Sequence, residues 1–307
     1  MSIAILIAVH DGLVIAADSA STLSVSVVPG TVAGVAKVYD NANKIFNLYK
    51  GRPIGIVTFG SGSIGNASIG TLMKDLRAVL MDGEKAKQFD FEFDPDNYTM
   101  RGVAEIVAKF LGAECEKQPA ATLLGMNIGF LLGGYSTTGG ITGRFGESWG
   151  IEIKAGKPTP PSELRPSDQA GISWGGAPEV VQRIVIGFSP LLFQILAEVS
   201  ASQGQQEPVS PEQLFKQLNP ILVARLQAPI VFPPMPIQDA IDLAEFLVHA
   251  SIMYSRFLPG PQIIGGPIEI AAVTKHEGFK WIRRKHYYDQ TLNREPLHVI
   301  VDRSEED

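Results

Sequence analysis

The chain has 307 residues, 45% hydrophobic and 19% charged, which gives ample apolar volume for a dry core and too little charge for a disordered protein. With 26 Lys and Arg against 32 Asp and Glu, the formal net charge of −6 argues against general affinity for nucleic acid or for anionic membrane surfaces. A single cysteine, Cys115, excludes an intrachain disulfide and a multi-cysteine metal cage, and it fits a reducing, cytoplasmic compartment.

Residues 2–9 are nearly all apolar, and Asp11 and Gly12 then turn the chain into a second apolar run, 13–17, that ends in Asp18. This pattern predicts a hairpin with both strands buried. Residues 19–39, rich in Ser, Val, Gly and Thr, read as an extended excursion rather than a packed helix. A second hairpin joins 44–49 to 53–59 through Lys50 and Gly51. Gly60, Ser61, Gly62 and Ser63 lead into Ile64, Ile69, Leu72, Met73, Leu76, Val79 and Leu80, which are spaced for one face of a helix. Residues 83–98 are charged and read as a surface loop. Helical spacing returns over 100–115, with Val103, Ile106, Val107 and Phe110 on one side.

Strands are predicted at 126–135 and 148–153, separated by a glycine-rich turn at 137–143. A proline-rich link, 157–166, precedes a short apolar stretch at 171–174. Helices follow at 180–200, 211–226 and 237–257, with Pro229, Pro233, Pro234 and Pro236 punctuating the last gap. The longest stretch of membrane length, 180–199, contains Gln182, Arg183 and Gln194, and the start shows no basic segment with an apolar run and cleavage site, so a soluble protein is expected. Two final strands, 268–273 and 279–283, flank a turn at His276, Glu277 and Gly278. No internal repeat is present. Hairpins without regular βαβ alternation favour helices packed outside antiparallel sheets.

Ser2 directly follows the initiator methionine and begins the first buried strand. A methionine before a small residue is readily removed, so the mature chain is expected to start with serine. An α-amine titrates at about 7.7–8.0, so a fraction is neutral at pH 7 and accepts the proton of its own hydroxyl, and nucleophile and base then sit in one residue. Many chains begin Met-Ser without any such role, so companions are needed. Asp18 closes an apolar strand, where an isolated carboxylate is costly unless paired. Lys44 opens the next apolar strand. A lysine and an aspartate at the same end of neighbouring strands pair there, and the ammonium favours the deprotonated form of a nearby hydroxyl. A solvated ion pair at the strand ends fits the same spacing.

Ser2, Asp11-Gly12-Leu13-Val14-Ile15-Ala16-Ala17-Asp18 and Asn43-Lys44-Ile45-Phe46 resemble the opening of proteasome β-type subunits and of the peptidase subunit of bacterial ATP-dependent two-component proteases. Both are N-terminal-nucleophile hydrolases. In that family the first mature residue attacks, supported by an aspartate sixteen residues later and a lysine further on, and Asp18 stands sixteen after Ser2. Thr58-Phe59-Gly60-Ser61 resembles the place of the glycine whose N–H stabilises the oxyanion, which assigns that role to Gly60. Fainter likeness runs through 130–135 and 149–153 and returns at 265–270, after a helix ending in Ser255 and Arg256.

The resemblance implies a single domain over 1–307 of the α+β class. Its architecture is a four-layer αββα sandwich of two antiparallel sheets flanked by helices, with a helical insertion at 178–236 that typical members lack. It implies amide-bond hydrolysis of peptide or protein substrates by Ser2, Asp18, Lys44 and Gly60, without cofactor or metal. It also implies a homo-oligomer, as a ring or related assembly, with an ATP-dependent unfoldase as a candidate partner. The sequence departs from the pattern in carrying serine for the usual threonine, which removes the β-methyl that restricts the rotamer. The family's further serine, aspartate and serine fall near Gly175, Pro261 and Ile264, none of which shuttles a proton, although Ser173 is close by.

Other readings compete. A catalytically silent ring-forming subunit would keep the same fold for assembly. Gly60-x-Gly62-x-x-Gly65 fits a dinucleotide fingerprint, with Glu84 at the distance of a ribose contact, although the strand before it is the second arm of a hairpin. Gly146-Glu147-Ser148-Trp149-Gly150 and Gly171-Ile172-Ser173-Trp174-Gly175 fit a nucleophile elbow, the second preceding a helix, but the regular βα alternation of such folds is missing and a glycine-rich turn is the plainer reading. His10, His249, His276, His286 and His298 show no paired metal spacing. Leu191, Leu192, Ile195, Leu214, Leu218, Leu222 and Leu226 in the insertion fit either a cover for the sheet helices or an intersubunit surface.

Overall fold

Continuous apolar runs produce strands buried on both faces. In the computed structural model, which describes residues 2–25, 34–137, 146–202, 209–287, 289 and 292, the first run forms β1 (Ile3–Val9) and the second β2 (Gly12–Ala17), buried throughout. Of the excursion after Asp18, the described residues form a two-stranded ribbon, β3 (Ser21–Val25) with β4 (Gly34–Tyr39), and residues 26–33 lie outside them. The second hairpin pairs β5 (Ile45–Asn47) with β6 (Ile54–Gly60).

The next helix begins later than the apolar spacing predicts. Residues 63–68 form a minimal hairpin, β7 (Ser63–Ile64) with β8 (Ala67–Ser68), turning at Gly65, and α1 (Ile69–Leu80) starts only where Ser68 caps the Thr71 N–H. The charged stretch expected as loop contains a short helix, α2 (Gly83–Lys87), nucleated by Asp82, which caps Glu84 and Lys85. The α3 helix (Met100–Glu116) and a single turn, α4 (Ala120–Leu123), lead to β9 (Asn127–Gly134) and β10 (Glu147–Lys154). Most of the turn predicted at 137–143 lies outside the described residues.

The proline-rich link is not free chain, since β11 (Lys157–Pro158) and β12 (Ser162–Arg165) both pair with β10. The apolar stretch after it is a full strand, β13 (Gly171–Gly176), pairing with β1. The helix predicted over 180–200 is two, α5 (Glu179–Val185) and α6 (Leu191–Ser202). Gly187 at φ 85° closes the first in the left-handed conformation and Pro190, without an N–H, cannot continue it. The remaining elements are α7 (Pro211–Leu226), α8 (Ile237–Phe257), β14 (Glu269–Thr274) and β15 (Gly278–Arg283).

The described residues thus form a mixed α/β chain with eight helices, and all described strand pairings are antiparallel. One sheet runs β13-β1-β2-β14-β15 and the other β11-β10-β9-β6-β5. Alternation along each strand sends side chains to two different cores. Leu6, Leu13 and Ile15 of the first sheet meet Val57 and Leu131 of the second and Tyr135 just after β9. Ile3, Ile5 and Ile7 pack the opposite way, on Val181 and Val185 of α5 and Ala244, Leu247 and Val248 of α8. Ile54, Ile56 and Phe130 pack on α1 and α3.

The α6–α7 pair lies apart from these cores. Phe193 meets Phe215 edge to face at 5.2 Å, but α7 buries none of its residues, and Leu191, Ile195, Ile221 and Leu226 stay about half exposed. Phe130→Ala is therefore expected to cost about 3–5 kcal/mol in chemical denaturation, and Ile195→Ala less than about 1 kcal/mol. Equal losses from the two substitutions would contradict this division of the core.

Candidate active site

The chain leaves β2 at Asp18, which is fully buried, so its charge must be matched by donors. Four reach it. Oδ1 accepts the Ile3 N–H at 3.0 Å and Lys44 Nζ at 2.5 Å, and Oδ2 accepts the N–H groups of Ala20 and Gly265, each at 3.1 Å. The carboxylate thereby ties the start of β1, the end of β2 and the loop before β14 to one point.

Lys44 stands just before β5, and its carbonyl accepts the Thr58 N–H at 3.0 Å, which seats it on β6. The sequence places aspartate and lysine on neighbouring strands. In the structure they belong to facing sheets, because β2 pairs with β1 and β14 while β5 pairs with β6. The ion pair is a bridge between sheets, and both side chains are almost wholly out of solvent. Burial pulls the Lys44 ammonium below its usual 10.5; Asp18 opposes the drop and the nearby charge of Lys285 adds to it.

Ser2 is held from both sides. The N–H of the next residue is on Asp18, and its own carbonyl accepts the Ala177 N–H at 2.7 Å. Gly176, at φ 97°, passes so close that a Cβ there would stand 1.9 Å from the Ser2 oxygen, so only glycine fits. Ser2 is 4% exposed and lines a cavity of about 250 Å³ together with Lys44, Thr58, Phe59, Gly60 and Ser61. Gly60 closes β6 at φ 91°, where a Cβ would meet the Asn127 carbonyl at 2.3 Å. Ser2, Lys44 and Gly60 therefore line one cavity, with the buried Asp18 bonded to Lys44. A hydroxyl, a buried ammonium and a backbone glycine around one space can supply a nucleophile, a field that lowers its pKa and an oxyanion donor.

The competing motifs lie in other settings. Ser173 is in the middle of β13, opposite Leu6, and is not among the residues lining the cavity; its segment is a paired strand and neither a strand-to-helix elbow nor a turn. The Gly60 to Gly65 pattern follows a strand antiparallel to both its neighbours and runs into β7 and β8, so it opens no βαβ unit, and Glu84 is in α2. At Gly175 a Cβ would lie 2.2 Å from the Phe59 ring, which also covers Gly129. An aromatic ring thus fills the place where the resemblance puts a hydroxyl. Ile264 is buried against α8's core, and the next residue, Gly265, gives Asp18 its backbone N–H.

Sequence reasoning missed a second buried ion pair beside the first. Lys285 Nζ lies 2.7 Å from Glu269 Oε2, with the glutamate side chain 2% exposed. Glu269 carried the same signal that singled out Asp18, a carboxylate at the end of an apolar strand. Lys285 follows Arg283 and Arg284 and reads as part of a solvated basic run. Among the described residues no group of three or more His, Cys, Asp or Glu could hold a metal ion, and no helix is long and apolar enough to cross a membrane.

Lys44→Met strands the Asp18 charge and is expected to cost about 3–5 kcal/mol, whereas a loss under about 1 kcal/mol would mark a solvated pair. The folded Lys44 pKa lies below 10.5, so between the two values the unfolded chain holds the extra proton and stability rises with pH. Denaturation of wild type and Lys44→Met in steps above pH 7 should show the gap widening as 10.5 is approached. A gap that narrows contradicts the depressed titration.

No protein-family model matches the chain, and no curated protein matches it. Among solved structures it is similar to Anbu (ancestral beta-subunit) from Yersinia bercovieri, at a TM-score of 0.46 and 12% identity, covering 92% of this chain and 88% of that one.

Proposed function

We propose that this chain is a proteasome-like N-terminal-nucleophile hydrolase with a four-layer αββα core, cleaving amide bonds of peptides or proteins with Ser2 after removal of Met1. The observation that carries the reading is the cavity that Ser2, Lys44 and Gly60 all line, with Asp18 bonded to the lysine. Ser2 Oγ attacks the carbonyl carbon of the substrate amide while its proton passes through water to the Ser2 α-amine. The Lys44 ammonium stabilises the developing alkoxide and Asp18 holds it in place. The Gly60 N–H faces the oxyanion. Collapse of the tetrahedral intermediate breaks the C–N bond, and the α-ammonium returns a proton to the leaving amine. Water, deprotonated by the same amine, then splits the ester and restores Ser2.

The half-exposed apolar residues of α6 and α7 support self-association, in a ring or related assembly, and folded substrates would call for an ATP-dependent unfoldase as partner. A second reading, a silent subunit of the same fold, draws support from the Phe59 ring against Gly175, which leaves no room there for a hydroxyl relay.

Intact mass of the purified protein should show Met1 absent, and its retention contradicts the enzyme reading. A β-lactone should label the protein once per chain, with labelling lost in Ser2→Ala and kept in Ser173→Ala. Wild-type protein that lacks Met1 yet takes no label is the silent subunit. The labelling rate should trace a bell, falling in acid as the α-amine protonates at about 7.7–8.0 and falling in alkali as Lys44 loses its proton below 10.5. A rate that still climbs beyond 10.5 removes the ammonium from the mechanism.

A further inference from the structure

We propose that Lys285 is a positioning residue for this site, a cationic clamp that holds together the two chain segments carrying Asp18 and Lys44. The proposal rests on the hydrolase reading for its kinetic consequences, and on geometry alone for the clamp.

The ammonium of Lys285 reaches three oxygens from three parts of the chain. It donates to Ser19 Oγ at 2.7 Å, to the Ala42 carbonyl at 2.8 Å, and sits 2.7 Å from Glu269 Oε2. Ser19 is the residue after Asp18, and Ala42 is two before Lys44. The clamp therefore grips both arms of the ion pair from behind, across sequence separations of 266 and 243 residues. The gripped segments are also bonded to each other. Ala42 N–H donates to the Ser19 carbonyl, Ser19 N–H to the Gly265 carbonyl, each at 2.9 Å, and Ser19 Oγ to the Pro267 carbonyl at 2.6 Å. Gly265 in turn donates to Asp18.

A surface lysine does not need this environment. The Lys285 side chain is 14% exposed, and burial draws its pKa down while Glu269 opposes the drop. Glu269 opens β14 at 2% exposure with Lys285 as its ionic partner. A buried pair of this kind is weak evidence for stability and is better explained by what it orients. The groups whose charges act on Lys44 are Asp18, Glu269 and Lys285, and those acting on Lys285 are Glu269, Asp18 and Arg284. Removing Lys285 thus has two separable effects. It loosens the segments at 18–20 and 41–44, and it takes a like charge away from Lys44.

The experiment compares wild type, Lys285→Met and Lys285→Arg by hydrogen exchange and by β-lactone labelling across pH. In Lys285→Met the amides of Ser19, Ala20, Ala42 and Gly265 should exchange faster while those of β9 and β10 stay protected. Labelling should slow by about a hundredfold, as for a misplacement near 1 Å, with the alkaline limb moved to higher pH. Lys285→Arg keeps the charge and should recover most of the protection and rate. Unchanged exchange at those four amides in Lys285→Met overturns the clamp, as does a uniform loss of protection over the whole chain. Should Lys285→Met fail to fold, the milder Lys285→Gln takes its place, and faster exchange at Ala42 and Gly265 supports the clamp while unchanged exchange overturns it. If wild type takes no label the hydrolase reading fails, and hydrogen exchange alone decides the clamp.

Discussion

A carboxylate with no exposure and an ammonium 2.5 Å from it, each anchored in a different sheet, set the terms for this molecule. Neither charge tolerates that burial alone. Asp18 meets the requirement with three backbone N–H groups besides Lys44, and those donors come from the beginning of β1, the turn after β2 and the loop before β14. Satisfying one carboxylate therefore fixes where the chain begins its first strand, and with it where Ser2 must lie.

The sheets make the site by their ends. β1 and β2 bring Ser2 and Asp18 to one end of the first sheet, and the β5–β6 hairpin brings Lys44 and Gly60 to one end of the second. The apolar layer of Leu6, Ile15, Val57 and Leu131 sets the distance between the sheets, so the packing of large side chains decides the spacing of small polar ones. Glycines complete the fit at the closest approaches. Gly176 lets β13 pass the Ser2 carbonyl, and Gly175 and Gly129 accept the ring of Phe59. The lowered Lys44 pKa follows from the same dryness that makes the pair obligatory.

Much of this was legible in the residues. Apolar runs closed by Asp-Gly and Lys-Gly turns mark the hairpins, and the anomaly of an aspartate and a lysine at the ends of buried strands marks the ion pair. The partition into facing sheets was not legible, because local pattern reports burial and not which strand a run will pair with. The break between α5 and α6 was written in Gly187 and Pro190 but masked by apolar spacing on either side. β13 was hidden for a related reason, since the segment from Gly171 to Gly175 reads as a glycine-rich turn until β1 supplies a partner. Glu269 carried the signal of Asp18 in plain form. Lys285 carried none, because its burial depends on a loop that returns over Ala42 and Ser19 from far along the chain.

In the proposed mechanism one residue supplies both the nucleophile and its base beside a buried ammonium, and the bonding of an electrophile that needs both groups tests this most directly. A peptide epoxyketone captures the hydroxyl and the amine of one N-terminal residue in a single ring. The structure of the treated protein should show that ring built from Ser2 Oγ and the Ser2 nitrogen, in the cavity walled by Lys44 and Gly60. An adduct bonded through any other residue, or through a Ser2 still carrying Met1, would contradict the account.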